Sequence, residues 1–327
     1  MRAWRVHDLG DPAHVLGLED IDAPTAGPGQ VVVDVSACGL NFPDILMCQG
    51  KYQERPPLPF TPGLETAGRV SAVGAAADPG LVGRRVIALP APGSGGLAEQ
   101  MVANVAGTFP IPDTMDDAAA AALHVTYQTS WFALHRRAAL RPGEWLLVHA
   151  AAGGVGSAAV QLGVAAGARV IATAGGPEKV DVCRKLGAEF AIDYKAEDFV
   201  EVVKEITGGH GADVIYDPVG GDIFDRSRKV IAWEGRLLVI GFAGGRIPEI
   251  PANHVLLKNY SVVGVHWAQY ARRDPASVVA CHDELVRLHS AGGIAPLVFA
   301  RLPFTDAVKG LTLLGGRDTC GKVVVLP

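Results

Sequence analysis

A glycine-rich turn near the middle of the chain is the segment best suited to hold a charged ligand. The apolar stretch Glu144–His149 runs into the small-residue segment Ala150–Gly156, which a helical stretch, Ser157–Ala166, follows directly. Glycines at a strand-to-helix turn let the backbone approach a pyrophosphate, which then lies on the helix N-terminus. Compared with the spacing G-x-G-x-x-G, only the first glycine is replaced, by Ala151. The pattern predicts dinucleotide binding, with a ligand-free tight turn as the alternative. The predicted contacts are Gly153, Gly154 and Val155.

The end of the next strand indicates which dinucleotide is bound. The predicted strand Arg169–Thr173 runs into Ala174–Gly176, where no acidic residue is present to bind the ribose 2′-hydroxyl of NAD. Lys179 follows within one helical turn, and a cation beside open glycine backbone suits a 2′-phosphate. A solvated lysine on the helix surface is the alternative. The sequence therefore predicts NADPH, with contacts from Thr173, Gly175, Lys179 and Tyr194.

Two kinds of sequence surround these residues and must position them. The first part of the chain, to about Ala122, alternates short β-rich runs with glycine and proline turns, which is typical of a mostly β domain. After Gly143, apolar strands alternate with helices, which indicates a parallel sheet covered on both faces. The predicted strands of this second part are Trp145–His149, Arg169–Thr173, Val214–Tyr216, Arg236–Ile240 and Tyr260–Val265.

Length and composition exclude several classes of protein. The 327 residues, 49% hydrophobic and 19% charged, exceed what a single core accommodates, so two domains are expected. The net charge is −5 and the basic residues are scattered, which argues against nucleic-acid or membrane partners. The five cysteines form no C-x-x-C pair, so neither a disulfide framework nor a structural zinc site is expected. A cytoplasmic protein without a targeting or membrane segment is predicted.

The run Pro142–Gly163 resembles the signature of the zeta-crystallin type of quinone oxidoreductase, in the medium-chain dehydrogenase/reductase superfamily. The resemblance extends over essentially the whole chain. Departures occur at Val164 and Arg84, neither of which falls at an expected site residue. The supporting matches are Gly39–Asp44, Gly50–Tyr52, Pro62–Glu65, Gly96–Glu99 and Gly321–Val325.

The resemblance implies a GroES-like, mostly β domain with a doubly wound Rossmann domain inserted into it. The GroES-like domain would comprise residues 1–124 and 267–327, and the Rossmann domain residues 125–266. Zinc-dependent relatives have a cysteine at the position of Asn41 and a histidine at that of Leu64. No metal is therefore expected.

Without a Lewis acid, hydride transfer is expected to need an acceptor that is already electron-poor, such as a quinone or an α,β-unsaturated carbonyl. By resemblance, Asn41 orients the substrate or the nicotinamide ribose. Tyr52 could then donate a hydrogen bond to the developing enolate oxygen. A turn cap and a pocket-wall aromatic are the respective alternatives. The further residues expected at the nicotinamide end are Thr126, Gly241, Phe242 and Val265.

The predicted function is therefore NADPH-dependent reduction of a quinone or another activated alkene. Two alternatives stay open: an enoyl-thioester reductase of the acryloyl-CoA type, and a protein that binds NADPH with little catalysis. A homodimer is also expected, because the strand Tyr260–Val265 would otherwise leave an apolar sheet edge open.

Overall fold

The structure is a computed structural model that describes all residues from Met1 to Pro327. Its strands, in chain order, are β1 (Arg2–Val6), β2 (Leu16–Asp20), β3 (Gln30–Gly39), β4 (Glu65–Val73), β5 (Arg85–Pro90), β6 (Gln100–Pro110), β7 (Trp145–Val148), β8 (Arg169–Ala174), β9 (Phe190–Asp193), β10 (Ala212–Asp217), β11 (Ile231–Val239), β12 (Ser261–Gly264), β13 (Val298–Pro303) and β14 (Lys322–Leu326).

The helices are α1 (Pro12–Val15), α2 (Phe42–Cys48), α3 (Asp117–Ala121), α4 (His124–Trp131), α5 (Gly154–Ala165), α6 (Pro177–Lys185), α7 (Phe199–Ile206), α8 (Gly221–Ser227), α9 (Ala252–Lys258), α10 (Ala268–Arg273), α11 (Pro275–Ser290) and α12 (Ala307–Gly315). Short 3₁₀ turns occur at Pro79–Leu81 and Phe304–Asp306, and α4 continues as a π-helical turn over Phe132–Arg137. No helix is both long and apolar enough to cross a bilayer.

The chain forms two compact units. Unit 1 comprises Met1–Val125 and Pro296–Pro327, and unit 2 comprises Thr126–Ala295. The second boundary differs from the predicted one, since residues 267–295 belong to unit 2. Hydrogen bonds hold this segment there: the Gln128 side chain donates to the Val278 carbonyl at 3.1 Å. Arg136 likewise donates to Asp274 at 2.7 Å.

Unit 1 is built on a six-stranded sheet in the order β13-β14-β3-β4-β5-β6, with β3 also paired to β6. This extra pairing closes strands β3 to β6 on themselves in a barrel-like arrangement. The pairs among β3, β4, β5 and β6 are all antiparallel. Alternate residues of β3, including Val31, Val33 and Val35, are buried in the core, as expected for a sheet with one face inward. The predicted mostly β, GroES-like domain is confirmed.

Unit 2 contains a parallel six-stranded sheet in the order β12-β11-β10-β7-β8-β9. Residues 145–148 of β7 are all buried, which explains their uninterrupted apolar sequence. From β7 the chain adds β8 and β9 on one side and then β10 to β12 on the other. The predicted doubly wound Rossmann domain is confirmed, and its strand order reverses between β7 and β10, where such sheets bind ligands.

Candidate active site

The predicted cofactor residues of unit 2 lie at one edge of the parallel sheet. Gly153–Val155 follow β7, Gly175 follows the end of β8, Tyr194 follows β9, Gly241 and Phe242 follow β11, and Val265 follows β12. Because all six strands run in the same direction, their carboxyl ends meet at this edge. The structure therefore brings together residues that are up to 112 positions apart between Gly153 and Val265.

The turn after β7 has the close backbone packing that only glycine allows. Gly153 is the N-cap of α5 and donates to the Ala150 carbonyl at 2.9 Å. A Cβ at Gly156 would lie 2.2 Å from the Ala150 carbonyl oxygen, so a side chain there would collide with backbone. The turn thus directs the N-terminal amides of a 12-residue helix towards the carboxyl edge of the sheet. These amides and the helix dipole favour an anion.

Tyr194 and Gly175 pack against each other at the end of β8 and β9. A Cβ at Gly175 would lie 2.6 Å from the Tyr194 hydroxyl, so the missing side chain leaves room for that ring. Tyr194 is 49% exposed. Lys179 lies in the first turn of α6, three residues after Gly176, and is half-buried. This group combines a phenol, open glycine backbone and a cation.

Two charged residues of this region were missed in the sequence. Asp193 ends β9 and accepts hydrogen bonds from the Gly176 amide at 2.8 Å and the Lys195 amide at 3.0 Å. These bonds hold the pKa of Asp193 below its usual range, so it stays ionised. Lys195 is a second cation beside Gly175, since its Cε would lie 3.1 Å from a Cβ there. Their position directly around Tyr194 was the available signal.

At the other side of the sheet, the Asp217 carboxylate organises the turn after β10. Its Oδ1 accepts from the amides of Val219 at 2.8 Å and Gly220 at 3.0 Å. Its Oδ2 is buried without a partner, and burial raises the pKa of this carboxyl. Phe242 lies against the turn, 3.0 Å from where a Cβ of Gly220 would be, and its ring is 41% exposed.

Two predicted threonines are buried in unit 2. Thr126 lies in α4 and is 3% exposed. Thr173 bonds through its hydroxyl to His149 Nδ1 at 3.0 Å, while His149 Nε2 bonds to Ser227 at 2.8 Å. Burial lowers the pKa of His149 to about 3, so the ring is a neutral core group. The Thr173 hydroxyl is therefore engaged inside the domain.

In unit 1, Asn41 belongs to a buried polar network. Its amide nitrogen donates to the Gly39 carbonyl at 3.0 Å and to Glu65 at 3.1 Å. Its amide oxygen accepts from Lys322 at 2.6 Å. Both donor hydrogens and one acceptor site are thus used, which fixes the orientation of the amide.

An ion pair between Glu65 and Lys322 is the centre of that network. The ammonium lies 2.5 Å from the carboxylate, and their side chains are 0% and 5% exposed. Glu65 also accepts from the Val125 amide at 2.8 Å. Asp44 is equally buried, and desolvation raises its pKa to about 6 although it accepts from the Asn41 and Gly63 amides. This network was missed, because nothing local in the sequence pairs residues 65 and 322.

Tyr52 packs with its ring against the small apolar cluster of Val6, Met47, Cys48 and Phe60. Burial raises the pKa of its phenol, with Glu54 and Asp44 contributing in the same direction. The hydroxyl therefore stays protonated at neutral pH and can act as a hydrogen-bond donor.

A zinc ion does not fit the donor set around Asn41. Zinc takes thiolate, imidazole and carboxylate ligands, whereas the Asn41 oxygen here faces the Lys322 ammonium. The nearby Cys38 is fully buried, and desolvation raises its pKa well above the usual range, which disfavours a thiolate. No group of three or more His, Cys, Asp or Glu side chains is arranged so that it could hold a metal ion.

A GroES-like unit interrupted by a doubly wound parallel sheet, with a glycine turn at its switch point, defines a medium-chain dehydrogenase/reductase. Family models agree: residues 27–113 match the alcohol dehydrogenase GroES-like domain, and residues 154–281 match the domain described as zinc-binding dehydrogenase. Quinone oxidoreductase-like protein 2 of Bos taurus is 42% identical over 99% of this chain and 93% of its own length. The chain therefore belongs to the quinone oxidoreductase family and is an oxidoreductase of that type.

Solved structures extend this similarity to three dimensions. The Escherichia coli quinone oxidoreductase complexed with NADPH superposes with a TM-score of 0.92 at 29% identity, covering 100% of both chains. The CurK enoyl reductase superposes with a TM-score of 0.86 at 28% identity, covering 99% of this chain and 98% of its own.

Proposed function

We propose that this protein is an NADPH-dependent reductase of quinones or other conjugated carbonyl compounds, working without a metal. The observation that carries the proposal is the single sheet edge where the turns after β7, β8, β9, β11 and β12 meet. That edge offers helix amides for a pyrophosphate and, after β11 and β12, apolar residues for a nicotinamide. The solved Escherichia coli relative with NADPH supports the same assignment.

The cofactor site has three parts with separate tasks. The amides of Gly153, Gly154 and Val155 would bind the pyrophosphate, because they begin α5 and carry its positive dipole end. Gly175, Lys179 and Tyr194, joined by Lys195, would bind the 2′-phosphate. The nicotinamide end would be lined by Thr126, Gly241, Phe242 and Val265.

When bound, NADPH supplies a hydride, which adds to the electron-poor conjugated carbon of the acceptor. The residues of unit 1 would then stabilise the negative charge that develops on the acceptor oxygen. Tyr52 suits this task because its phenol stays protonated and can donate a hydrogen bond. Solvent would deliver the proton that completes the reduction. Asn41 would orient the ribose or the substrate with its amide held by Lys322 and Glu65.

The proposal that no metal takes part rests on the chemistry of the side chains around Asn41. An ammonium already satisfies Asn41, and a buried thiol with a raised pKa is a poor ligand. Reduction of an activated alkene needs no Lewis acid, since the acceptor is polarised by its own carbonyl. We therefore expect full activity after dialysis against a chelator.

An enoyl-thioester reductase is the second candidate. It is favoured by the similarity to CurK enoyl reductase, which superposes with a TM-score of 0.86. The hydride chemistry is the same, so only the acceptor differs.

We also infer a cytoplasmic homodimer. Strand β12 is the edge of its sheet, and Leu256 and Leu257 of the preceding helix are each 74% exposed. Edges and apolar patches of this kind are normally covered. None of the five cysteines forms a disulfide, which supports a reducing compartment. A monomer measured by light scattering at micromolar concentration would contradict the inferred dimer.

The test is initial-rate oxidation of NADPH by the purified protein with 1,4-benzoquinone, 9,10-phenanthrenequinone, a 2-alkenal and acryloyl-CoA in parallel. NADH is the control cofactor. Turnover of at least one acceptor with NADPH preferred is the expected result. Tight NADPH binding without turnover of any acceptor would instead favour a cofactor-binding protein.

A further inference from the structure

Asp193 lies between the two segments that carry the residues expected to bind the 2′-phosphate. It ends β9, which pairs in parallel with β8, and its register partner in that pair is Ala174. After β8 the chain continues through residues 175–179, and after β9 it continues through Tyr194 and Lys195. A side chain at position 193 can therefore act on both segments at once.

One oxygen of the Asp193 carboxylate bonds to both segments. Its Oδ1 accepts from the Gly176 amide at 2.8 Å and from the Lys195 amide at 3.0 Å. Gly176 is the N-cap of α6 and has a φ of +93°, in the left-handed region that favours glycine. The bond to Gly176 fixes the point at which α6, with Lys179 in its first turn, begins. The bond to Lys195 fixes the backbone directly after Tyr194.

The side chains of the two segments meet over Gly175. A Cβ at Gly175 would lie 2.6 Å from the Tyr194 hydroxyl and 3.1 Å from Cε of Lys195. The Tyr194 amide also donates to the Ala174 carbonyl at 3.1 Å. Asp193 bonds to the backbone on either side of this contact, so the arrangement of the phenol and the lysine over Gly175 depends on it.

The same carboxylate brings a negative charge into this group. The two amide bonds hold the pKa of Asp193 below its usual range, so it is ionised at neutral pH. Glu178 and Glu197 are exposed, so solvent and salt screen their charges, whereas Asp193 is half-buried and held by two bonds. A 2′-phosphate bound by Lys179 and Lys195 would therefore lie beside a fixed like charge, which repels it. The ribose hydroxyl of NADH would experience no such repulsion.

The carboxylate also uses donors that a phosphate could use. Amides at the start of a helix favour anions, but the Gly176 amide donates to Asp193, as does the Lys195 amide. A 2′-phosphate therefore depends on donors from the side chains of Lys179, Tyr194 and Lys195.

We propose that Asp193 determines how strongly the protein prefers NADPH to NADH, through two opposing contributions. Its hydrogen bonds hold Gly175, Tyr194 and Lys195 in the arrangement that binds the 2′-phosphate, and its charge repels that phosphate. Asp193 is thus a positioning residue that does not itself bind the cofactor. This inference rests on the cofactor site of the proposed function and adds the residue that sets its selectivity.

Two substitutions separate the two contributions. D193N removes the charge and keeps an oxygen that can accept both amide bonds, whereas D193A removes the charge and the bonds together. D213N is the matched control. Asp213 also accepts from a backbone amide, that of Trp145 at 2.7 Å, but it lies where β7 and β10 begin, at the opposite edge of the sheet.

Binding is measured directly, so the result does not depend on turnover. The dissociation constants of NADPH and NADH are obtained by fluorescence titration of each protein. Adenosine 2′,5′-bisphosphate and adenosine 5′-monophosphate are titrated by calorimetry, because these two probes differ only in the 2′-phosphate. Each titration is made at low salt and again at about 1 M NaCl, where the Debye length falls to about 3 Å.

The charge and the hydrogen bonds should have effects of opposite sign. At low salt, D193N should bind NADPH and the bisphosphate about three- to fivefold more tightly than the wild type, and this gain should shrink at high salt. D193A should bind both about tenfold more weakly than D193N, because the two segments lose the bonds that hold them. NADH and the monophosphate should bind within about twofold of the wild type throughout, and D213N should match the wild type.

Several results would overturn the inference. If D193N binds NADPH no more tightly than the wild type, or if its gain persists at high salt, the carboxylate does not repel the phosphate. If D193A binds NADPH as tightly as D193N, the hydrogen bonds do not shape the site. Equal changes for NADPH and NADH would show that Asp193 acts on the fold alone, and a D213N protein that behaves like D193N would show an effect of net charge.

The wild type distinguishes failure of this inference from failure of the proposed function. A wild type that prefers NADPH and reduces an acceptor keeps the proposed function, whatever the variants at position 193 show. A wild type that binds NADPH no more tightly than NADH removes the 2′-phosphate site, and the role of Asp193 with it.

Discussion

Replacing Lys322 by methionine should destabilise unit 1 more than almost any other single substitution of comparable size. Lys322 is the only cation bonded to Glu65, and both side chains are buried, at 5% and 0% exposure. The variant K322M keeps an unbranched side chain that is one heavy atom shorter, but it leaves the Glu65 carboxylate without its charge partner. It also removes the donor to the Asn41 oxygen.

The size of the effect follows from this burial. Breaking a buried ion pair from one side costs about 3–5 kcal/mol, because the remaining charge is desolvated and uncompensated. Glu65 retains its bonds from Asn41 at 3.1 Å and from the Val125 amide at 2.8 Å, which favours the lower half of that range. For a domain of this size each kcal/mol corresponds to about 2–4 °C in Tm. A decrease in Tm of at least about 6 °C is therefore expected.

The double variant E65Q/K322M is the matched control, since it removes both charges and nearly keeps the side-chain volumes. Replacing a whole buried pair is far less costly than breaking it, so the double variant should recover at least half of the lost Tm. Scanning calorimetry of the three proteins at neutral pH gives the comparison. A K322M protein within about 2 °C of the wild type, or a double variant less stable than K322M, would refute the account of this network.

Three further outcomes are expected. K179A and K195A should each weaken NADPH binding by about tenfold and spare NADH in fluorescence titrations, because each removes one cation from the 2′-phosphate region; equal losses for both cofactors would contradict this. The pKa of His149 is about 3 in the folded protein, so only the unfolded chain, with a histidine pKa near 6.5, takes up its proton as the pH falls. The wild type should thus lose about 2 kcal/mol more than H149Q between about pH 7.5 and pH 5 in urea unfolding, and parallel pH curves would exclude the effect. Y52F should lower kcat by about 10- to 100-fold without changing the KM for NADPH. Because the pKa of Tyr52 is raised, the plot of wild-type kcat against pH should show no decrease from ionisation of this tyrosine below about pH 10.

Unit 2 was the more predictable half of the fold. The strands of its sheet are short apolar runs, and a residue such as Gly156 is required by a backbone contact within six positions of itself. Such local requirements leave local signals, namely composition, periodicity and glycine spacing. The strand ends predicted from the sequence are therefore where the structure places the expected cofactor residues.

Long-range contacts account for what the sequence did not indicate. Glu65 and Lys322 are 257 residues apart, and each resembles an ordinary surface charge when its neighbours alone are considered. The assignment of residues 267–295 to unit 2 likewise depends on Gln128 and Arg136 reaching Val278 and Asp274. Asp193 lies at a strand end, but its role becomes visible only through the Gly176 amide, 17 residues earlier.

The split of unit 1 across the chain has a consequence for synthesis on the ribosome. Strand β14 pairs with β3 through Val324 and Gly39, so this sheet cannot be completed until Lys322–Leu326 have been translated. Unit 2 is continuous and can form its sheet earlier, as domains generally fold when their own sequence is available. The nascent first segment must meanwhile keep Glu65 without its lysine and the edge of β3 without its partner. We expect ribosome-bound chains that stop before Pro296 to be sensitive to protease in the first 125 residues and protected in the inserted unit.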